Sequence, residues 1–406
     1  MKNITAFAPP TPNLGELNQI RGVFTGLIRC KSADAAHFAY NMEICFKNIT
    51  DKPLRLSSYE SYDSFKAAVF ECLDYYFSKH ILVPRVLVMA FTQGDNEKAV
   101  SNVDSMCRAV KEYYEFKKLG WVYAAVVNAQ LGDYRWADLV LVADHLLSGE
   151  ERQQLDCDED LKKKIFVSQG IVHNMSRLYI QQKFGQRKVQ SVLAKYKNGK
   201  PNVVFVCGGR VAGPEIQLTL DNAARIYAQM KELADKGYNA IILNGPRTPN
   251  EVTDYFAEQS LQSGGKVDFY NSKQIAAGKE DRTIDKWRIY SGKFEEKFKT
   301  EQEQFGSVYP AILGLENVLA VHSFDSFASC ETASSEIPTA VCRWVKIDKN
   351  VRPDCYRLAD LLEKGGYVIN FADFDGSVEP KNLKLKLLPN SNYEFAERIE
   401  RECVVK

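Results

Sequence analysis

Residues suited to phosphate and sugar chemistry fall in four short stretches of the second half, each just past an apolar run. Residues 202–207 read Asn-Val-Val-Phe-Val-Cys, followed by Gly208, Gly209 and Arg210 and then a helical pattern. Paired glycines let a backbone approach an anion, and the following helix offers unpaired N–H groups and a positive dipole end. Arg210 adds a charge beside them. The next stretch is Asn244-Gly245-Pro246-Arg247-Thr248-Pro249. Here Thr248 can cap a helix opening at Pro249, and Arg247 can reach a phosphate.

The third stretch, His322 to Glu331, turns from a strand end into a small-residue helix. Asp325 or Ser326 can cap it, and Glu331 on its second turn can accept both hydroxyls of a ribose. The fourth, Glu336-Ile337-Pro338-Thr339, leads back into a strand. Each stretch has a plain structural alternative: a tight connection, an ordinary capped helix, or a Glu331 that meets an arginine. Taken in order, each after a strand of one sheet, they point to a pocket for a nucleoside diphosphate group.

Two stretches of the first half complete the set. Gly15, Asn18 and Gln19 open the first helix after the first strand, where the two amides can face a ligand. Ser168 to Asn174 follows a later strand, and His173 within it is a candidate base or hydroxyl ligand. A structural histidine at a helix start is the competing reading. No His/Cys/Asp set has metal-ligand spacing, and neither G-x-S-x-G nor G-x-x-x-x-G-K-[ST] occurs, so neither a metal nor a resident cofactor is expected.

The elements that must position these residues alternate between short strands and longer helices, the pattern of parallel sheets covered by helices. Strands are expected at Ile4–Ala8, Arg85–Phe91, Trp121–Val127, Asp138–Val142 and Ile165–Ser168, with helices over Gly15–Arg29, Tyr62–His80 and Glu97–Lys117. In the second half, strands are expected at Val203–Cys207, Tyr238–Leu243, Lys266–Tyr270, Val318–His322 and Thr339–Trp344. A helix with an apolar stripe from Ile216 through Ala234 should stop at Gly237. The basic, apolar-poor stretch 182–200 reads as a linker, and 277–304 as a densely charged insertion: a solvated helix, or else a flap.

These boundaries predict an α/β chain of two Rossmann-like domains facing across a cleft. Residues 1–190 would form the first domain, with a C-terminal helix 393–404 packing back on it, and 201–390 the second, which carries the phosphate-binding stretches. A length of 406 residues fits two such domains. Lys plus Arg (53) nearly balance Asp plus Glu (52), so no net field draws the chain to nucleic acid or to an anionic membrane, and no nucleic-acid partner is expected. Ten cysteines without a close pair, several inside apolar runs, suit a reducing compartment, and no apolar run is long enough to cross a membrane. A soluble cytoplasmic protein is expected, with room for peripheral membrane contact.

At these residues the chain resembles the family named after a plant mitochondrial-fission factor, widespread in bacteria and once labelled nucleotide-sugar epimerases. Its opening G-x-x-N-Q-x-x-G is matched by Gly15, Asn18, Gln19 and Gly22, a D-L-V segment by Asp138 to His145, and T-x-G-x-x-H by Ser168 to His173. Its paired glycines match Gly208 and Gly209, its R-R-T-P matches Pro246 to Pro249, and its D-S and E signature is approximated by Asp325, Ser326 and Glu331. Pro246 replaces one arginine and Ile337 a lysine, each weakening anion binding, and the charged insertion is unlike typical members.

The resemblance implies a B-type glycosyltransferase fold with a nucleotide-sugar pocket in the C-terminal domain. Under that reading the chain is a metal-independent glycosyltransferase-like enzyme with an unidentified acceptor, a lipid or a glycan. A non-catalytic adaptor on the same fold is the alternative. A nucleotide-sugar epimerase is the weaker third, because G-x-G-x-x-G after the first strand and a suitably placed Tyr-x-x-x-Lys are both missing.

Overall fold

The computed structural model describes residues 6–9, 14–29, 48–90, 96–185, 193–208, 216–245, 248–271, 308–323, 328–344, 346–347, 350 and 352–405. The charged stretch 277–304 lies outside them. The chain forms two compact units, residues 1–174 with 389–406, and residues 175–388.

In the first unit, β1 (Ala6–Phe7), β2 (Val86–Ala90), β3 (Tyr123–Ala129), β4 (Leu139–Ala143) and β5 (Ile165–Ser168) make one parallel sheet in that order. Both faces of β2, β3 and β4 are buried, which is why their sequences are unbroken apolar runs instead of alternating ones. One face packs under α2 (Tyr62–Phe77) and α3 (Asn96–Phe116), through Phe65, Val69, Leu73, Val103, Met106 and Val110. A reciprocal Ser61–Ser64 capping box starts α2.

The other face is covered by α1 (Leu14–Arg29) and the C-terminal helix, here termed α11 (Asn392–Val405). Ile20, Val23, Phe24 and Leu27 of α1 meet Phe395, Ala396, Ile399 and Cys403 of α11 in this layer. Gly26 makes that approach close: a Cβ there would lie 2.4 Å from the Asn392 carbonyl oxygen and 2.9 Å from the Ala396 Cβ.

The second unit begins at Met175, ahead of the basic stretch expected to act as a linker. Arg177–Phe184 is a helix, α6, and Met175, Ile180, Leu193 and Tyr196 are buried in this unit's core. Its main sheet runs β13 (Ile369–Asn370), β11 (Thr339–Cys342), β10 (Val318–Ser323), β6 (Asn202–Val206), β8 (Asn239–Leu243) and β9 (Val267–Tyr270). Every pair is parallel.

From β6 the chain therefore builds outward through β8 to β9, then returns to place β10 on the other side of β6. This is the doubly wound order, whose reversal between β6 and β10 opens a crevice at the strands' carboxyl ends. One expected boundary moves. The helix α7 starts at Leu220, capped by Thr219, because Ile216–Gln217 (β7) pairs antiparallel with Lys346–Ile347 (β12). It ends at Asp235 with Lys236 as its C-cap, and Gly237 follows at φ +95°, a left-handed position that favours glycine.

Candidate functional site

At the reversal, β6 delivers Gly208 and β10 delivers His322 and Ser323. Gly209, Arg210, Arg247, Asp325 and Ser326 lie outside the described residues. Gly208, Thr248, Glu331 and the neighbours that hold them can be placed.

Thr248 does not cap a helix. The helix α8 (Asn250–Gln262) has Pro249 at its N-cap with no side-chain cap bond. The Thr248 hydroxyl instead accepts the Gly245 N–H at 2.9 Å and donates to the Gly208 carbonyl at 3.1 Å. It thus clasps the loop after β8 to the loop after β6. A further tie runs sideways: Asn244 Nδ2 donates to Asn271 Oδ1 at 2.9 Å and to the Thr253 hydroxyl at 3.3 Å. The loops after β6, β8 and β9 are linked by these side chains.

Across the reversal, the described helix after β10 is Ala328–Ala333 (α9), so Glu331 sits in its first turn instead of its second. Glu331 Oε2 accepts from the Tyr309 hydroxyl at 3.4 Å, and the Tyr309 ring meets the His322 ring edge to face at 6.1 Å. Burial, reinforced by the Glu331 carboxylate, pushes the Tyr309 phenol well above its usual range, so it remains a donor.

His322 is fully buried, and burial lowers its pKa to about 3, so the ring is neutral at physiological pH. Its Nε2 lies 3.1 Å from the Thr332 hydroxyl, which is 2.9 Å from the Thr339 hydroxyl. Nδ1 has no hydrogen-bond partner among the described residues. Tyr309, Thr332 and Thr339 carry no motif that marks them in the sequence.

In the first unit, His173 lies in a loop, three residues before Ser176, the N-cap of α6, so it does not begin a helix. Its loop is held by asparagines from three elements. The N–H groups of Val172, His173 and Asn174 donate to the side-chain oxygens of Asn128 (3.1 Å), Asn392 (3.2 Å) and Asn18 (3.1 Å). Two of these amides also return a bond, Asn128 to the Val172 carbonyl at 3.2 Å and Asn392 to the His173 carbonyl at 2.7 Å. Gly22 of α1 backs the loop so closely that a Cβ would lie 2.7 Å from the His173 main chain.

Asn18 and His173 are thus brought together, with Asn18 turned to the loop. Gly15 lies in the first turn of α1, and the Gln19 Oε1 is buried with no hydrogen bond among the described residues. Burial lowers the His173 pKa to about 3. Among the described residues no cluster of His, Cys, Asp and Glu could hold a metal, and no helix is long and apolar enough to cross a membrane.

The chain is similar to the UDP-GlcNAc 2-epimerase of Methanocaldococcus jannaschii over 99% of both chains, with a TM-score of 0.55 and 12% identity. The fold is that of the B-type glycosyltransferases. A structure of the same epimerase in complex with UDP-GlcNAc and UDP matches over 99% of both chains, at TM-score 0.44 and 12% identity. A glycosyltransferase from Rickettsia africae ESF-5 matches over 100% of this chain and 89% of its own, at TM-score 0.41 and 10% identity. No protein-family model and no curated protein matches the sequence.

Proposed function

We infer that the second unit binds a nucleoside diphosphate sugar at the carboxyl ends of β6 and β10, and that the chain is a metal-independent glycosyltransferase-like enzyme. One observation carries the reading: at the strand-order reversal, Gly208 leaves one strand and the next delivers the helix of Glu331. The diphosphate would lie on Gly208, Gly209 and Arg210, a loop whose start Thr248 clasps, with Arg247, Asp325 and Ser326 completing its cradle. Glu331, oriented by Tyr309, would take the ribose hydroxyls. Fixed N–H groups and an arginine can stabilise a leaving diphosphate as it forms.

Gly15, Asn18 and Gln19 would serve the acceptor side, for a lipid or glycan hydroxyl. A general base needs reach and a pKa near the working pH. His173, buried and with a pKa of about 3, suits an anchor of its loop better than a base.

The fold also hosts a 2-epimerase, so the missing G-x-G-x-x-G and Tyr-x-x-x-Lys do not by themselves disfavour sugar epimerisation on this scaffold. Products separate the two activities: a transferase frees the nucleoside diphosphate, and an epimerase returns an isomerised nucleotide sugar. Calorimetry against a panel of nucleotides and nucleotide sugars tests the shared premise. One class should bind, and Glu331→Gln should weaken nucleotide binding about tenfold while leaving inorganic pyrophosphate unaffected. If no nucleotide binds and Glu331→Gln changes nothing, the enzyme reading falls and the adaptor reading stands. Donor hydrolysis abolished by Arg247→Ala would exclude the adaptor.

A further inference from the structure

Two neighbouring loops of the first unit leave large apolar side chains in water. In residues 78–84, between α2 and β2, Ile81 is 100% exposed and Leu82 59%. At the end of α3, leading into residues 117–120, Phe116 is 69% exposed, and Tyr75 on the last turn of α2 is 38%. Hydrogen bonds tie the two loops together: the Tyr114 hydroxyl donates to the Pro84 carbonyl at 2.7 Å, and Arg85 Nη1 to the carbonyls of Leu119 and Trp121 at 2.7 and 2.9 Å. Both loops precede parallel neighbours, β2 and β3, so they lie at the amino ends of the strands, opposite the end where this fold class binds ligands.

Lysines outnumber carboxylates around them, the nearest carboxylates being Asp74 and the exposed Glu115. Loops 78–84 and 117–120 carry Lys79, Lys117 and Lys118 and no carboxylate. Lys79 Nζ stands 5.8 Å from the Tyr75 ring, and Lys117 Nζ is 5.6 Å from the Phe116 ring. Asp74, close by, is neutralised by Lys117 at 2.7 Å. On a chain of net charge +1 this is a local collar, not a property of the whole surface.

We propose that these two loops form a peripheral docking site for an anionic lipid bilayer, with Ile81 and Leu82 entering the acyl boundary and Lys79 and Lys118 resting at the headgroups. An exposed aliphatic pair on a loop, Ile81 wholly in water, offers an apolar tip that suits a deformable bilayer rather than a preformed protein groove. Lysine stems can lie along the apolar layer while their ammonium groups stay among anionic headgroups, each adding attraction that salt screens. Exposed isoleucine and leucine are otherwise an aggregation liability, which insertion removes.

Co-sedimentation of the full chain with vesicles tests the proposal. The protein should bind vesicles of phosphatidylcholine mixed with phosphatidylglycerol and bind pure phosphatidylcholine markedly less. The double variant Ile81→Ser, Leu82→Ser should lose about tenfold in binding, and Lys79→Glu with Lys118→Glu should lose a comparable amount. All four positions are exposed, and circular dichroism and the melting midpoint verify folding. The proposal is overturned if the wild type does not sediment with the mixed vesicles, or if the apolar variant binds them as well as the wild type does. It also falls if vesicles are ignored while the same variant abolishes a concentration-dependent dimer, since the patch would then join two copies of the chain.

Discussion

His173 in the first unit and His322 in the second are both buried with a depressed pKa, and they differ in what surrounds them. Around His173, side-chain amides grip main chain: Asn128, Asn392 and Asn18 hold consecutive N–H groups of one loop. Around His322, side chains hold one another: imidazole to Thr332, Thr332 to Thr339, with the Tyr309 ring alongside and its hydroxyl on Glu331. The first arrangement fixes the course of a backbone. The second places a carboxylate-bearing helix beside a strand end while keeping hydroxyl protons that can turn. Rigid shape belongs to the loop, and adaptable polarity to the neighbourhood of Glu331.

The largest loss is expected at Gly22, behind the His173 loop. Gly22→Ala would drive a Cβ into the His173 main chain, and stiff backbone offers little relief. A loss of about 3 kcal/mol or more is expected in urea unfolding of the first unit. Next, Asn392→Ala removes both the acceptor for the His173 N–H and the donor to its carbonyl, leaving buried backbone groups unsatisfied. It should cost about 2 to 3 kcal/mol, with faster amide exchange confined to the first unit.

Acid should weaken both units together. Each histidine has a folded pKa of about 3, below the usual 6.5, so the unfolded chain binds more protons between those values. Each contribution is complete above about pH 6.5 and is lost as pH falls toward 3; at pH 5 the loss is about 2 kcal/mol for each histidine. His322→Asn should flatten that dependence in the second unit alone, read by exchange at pH 7 and 5. Smallest of all, Thr332→Val should cost about 1 kcal/mol in the second unit and leave the first unchanged. An equal effect on both units would mean that the two histidine surroundings do not differ.

What could be read from the sequence follows the same division. Parallel strands buried on both faces write themselves as apolar runs, so Val86–Ala90, Leu139–Ala143 and Asn202–Val206 were legible within a residue or two. The start of α7 was less so, because Ile216 fits a helical stripe while belonging to a two-residue strand whose partner lies far along the chain, at Lys346–Ile347. Local patterning put Gly208 and Glu331 after adjacent strands. It missed that the Thr248 hydroxyl would reach 40 residues back to Gly208 instead of capping its own helix. The asparagine clasp was invisible for the same reason: its amides lie 44, 156 and 219 residues from the N–H groups they hold, and no local signal encodes such a distance.

The placement of α11 in the first unit sets an order of assembly. As the chain leaves the ribosome, residues 175–388 emerge as one continuous stretch, whereas the first unit waits for residues 389–405 to cover α1. Until then Ile20, Val23, Phe24 and Leu27 lack part of their apolar cover, and the loop of His173 lacks one of its three amides. The half of the protein made first is therefore the half finished last, and a nascent chain stalled before Asn392 would present that uncovered layer to chaperones.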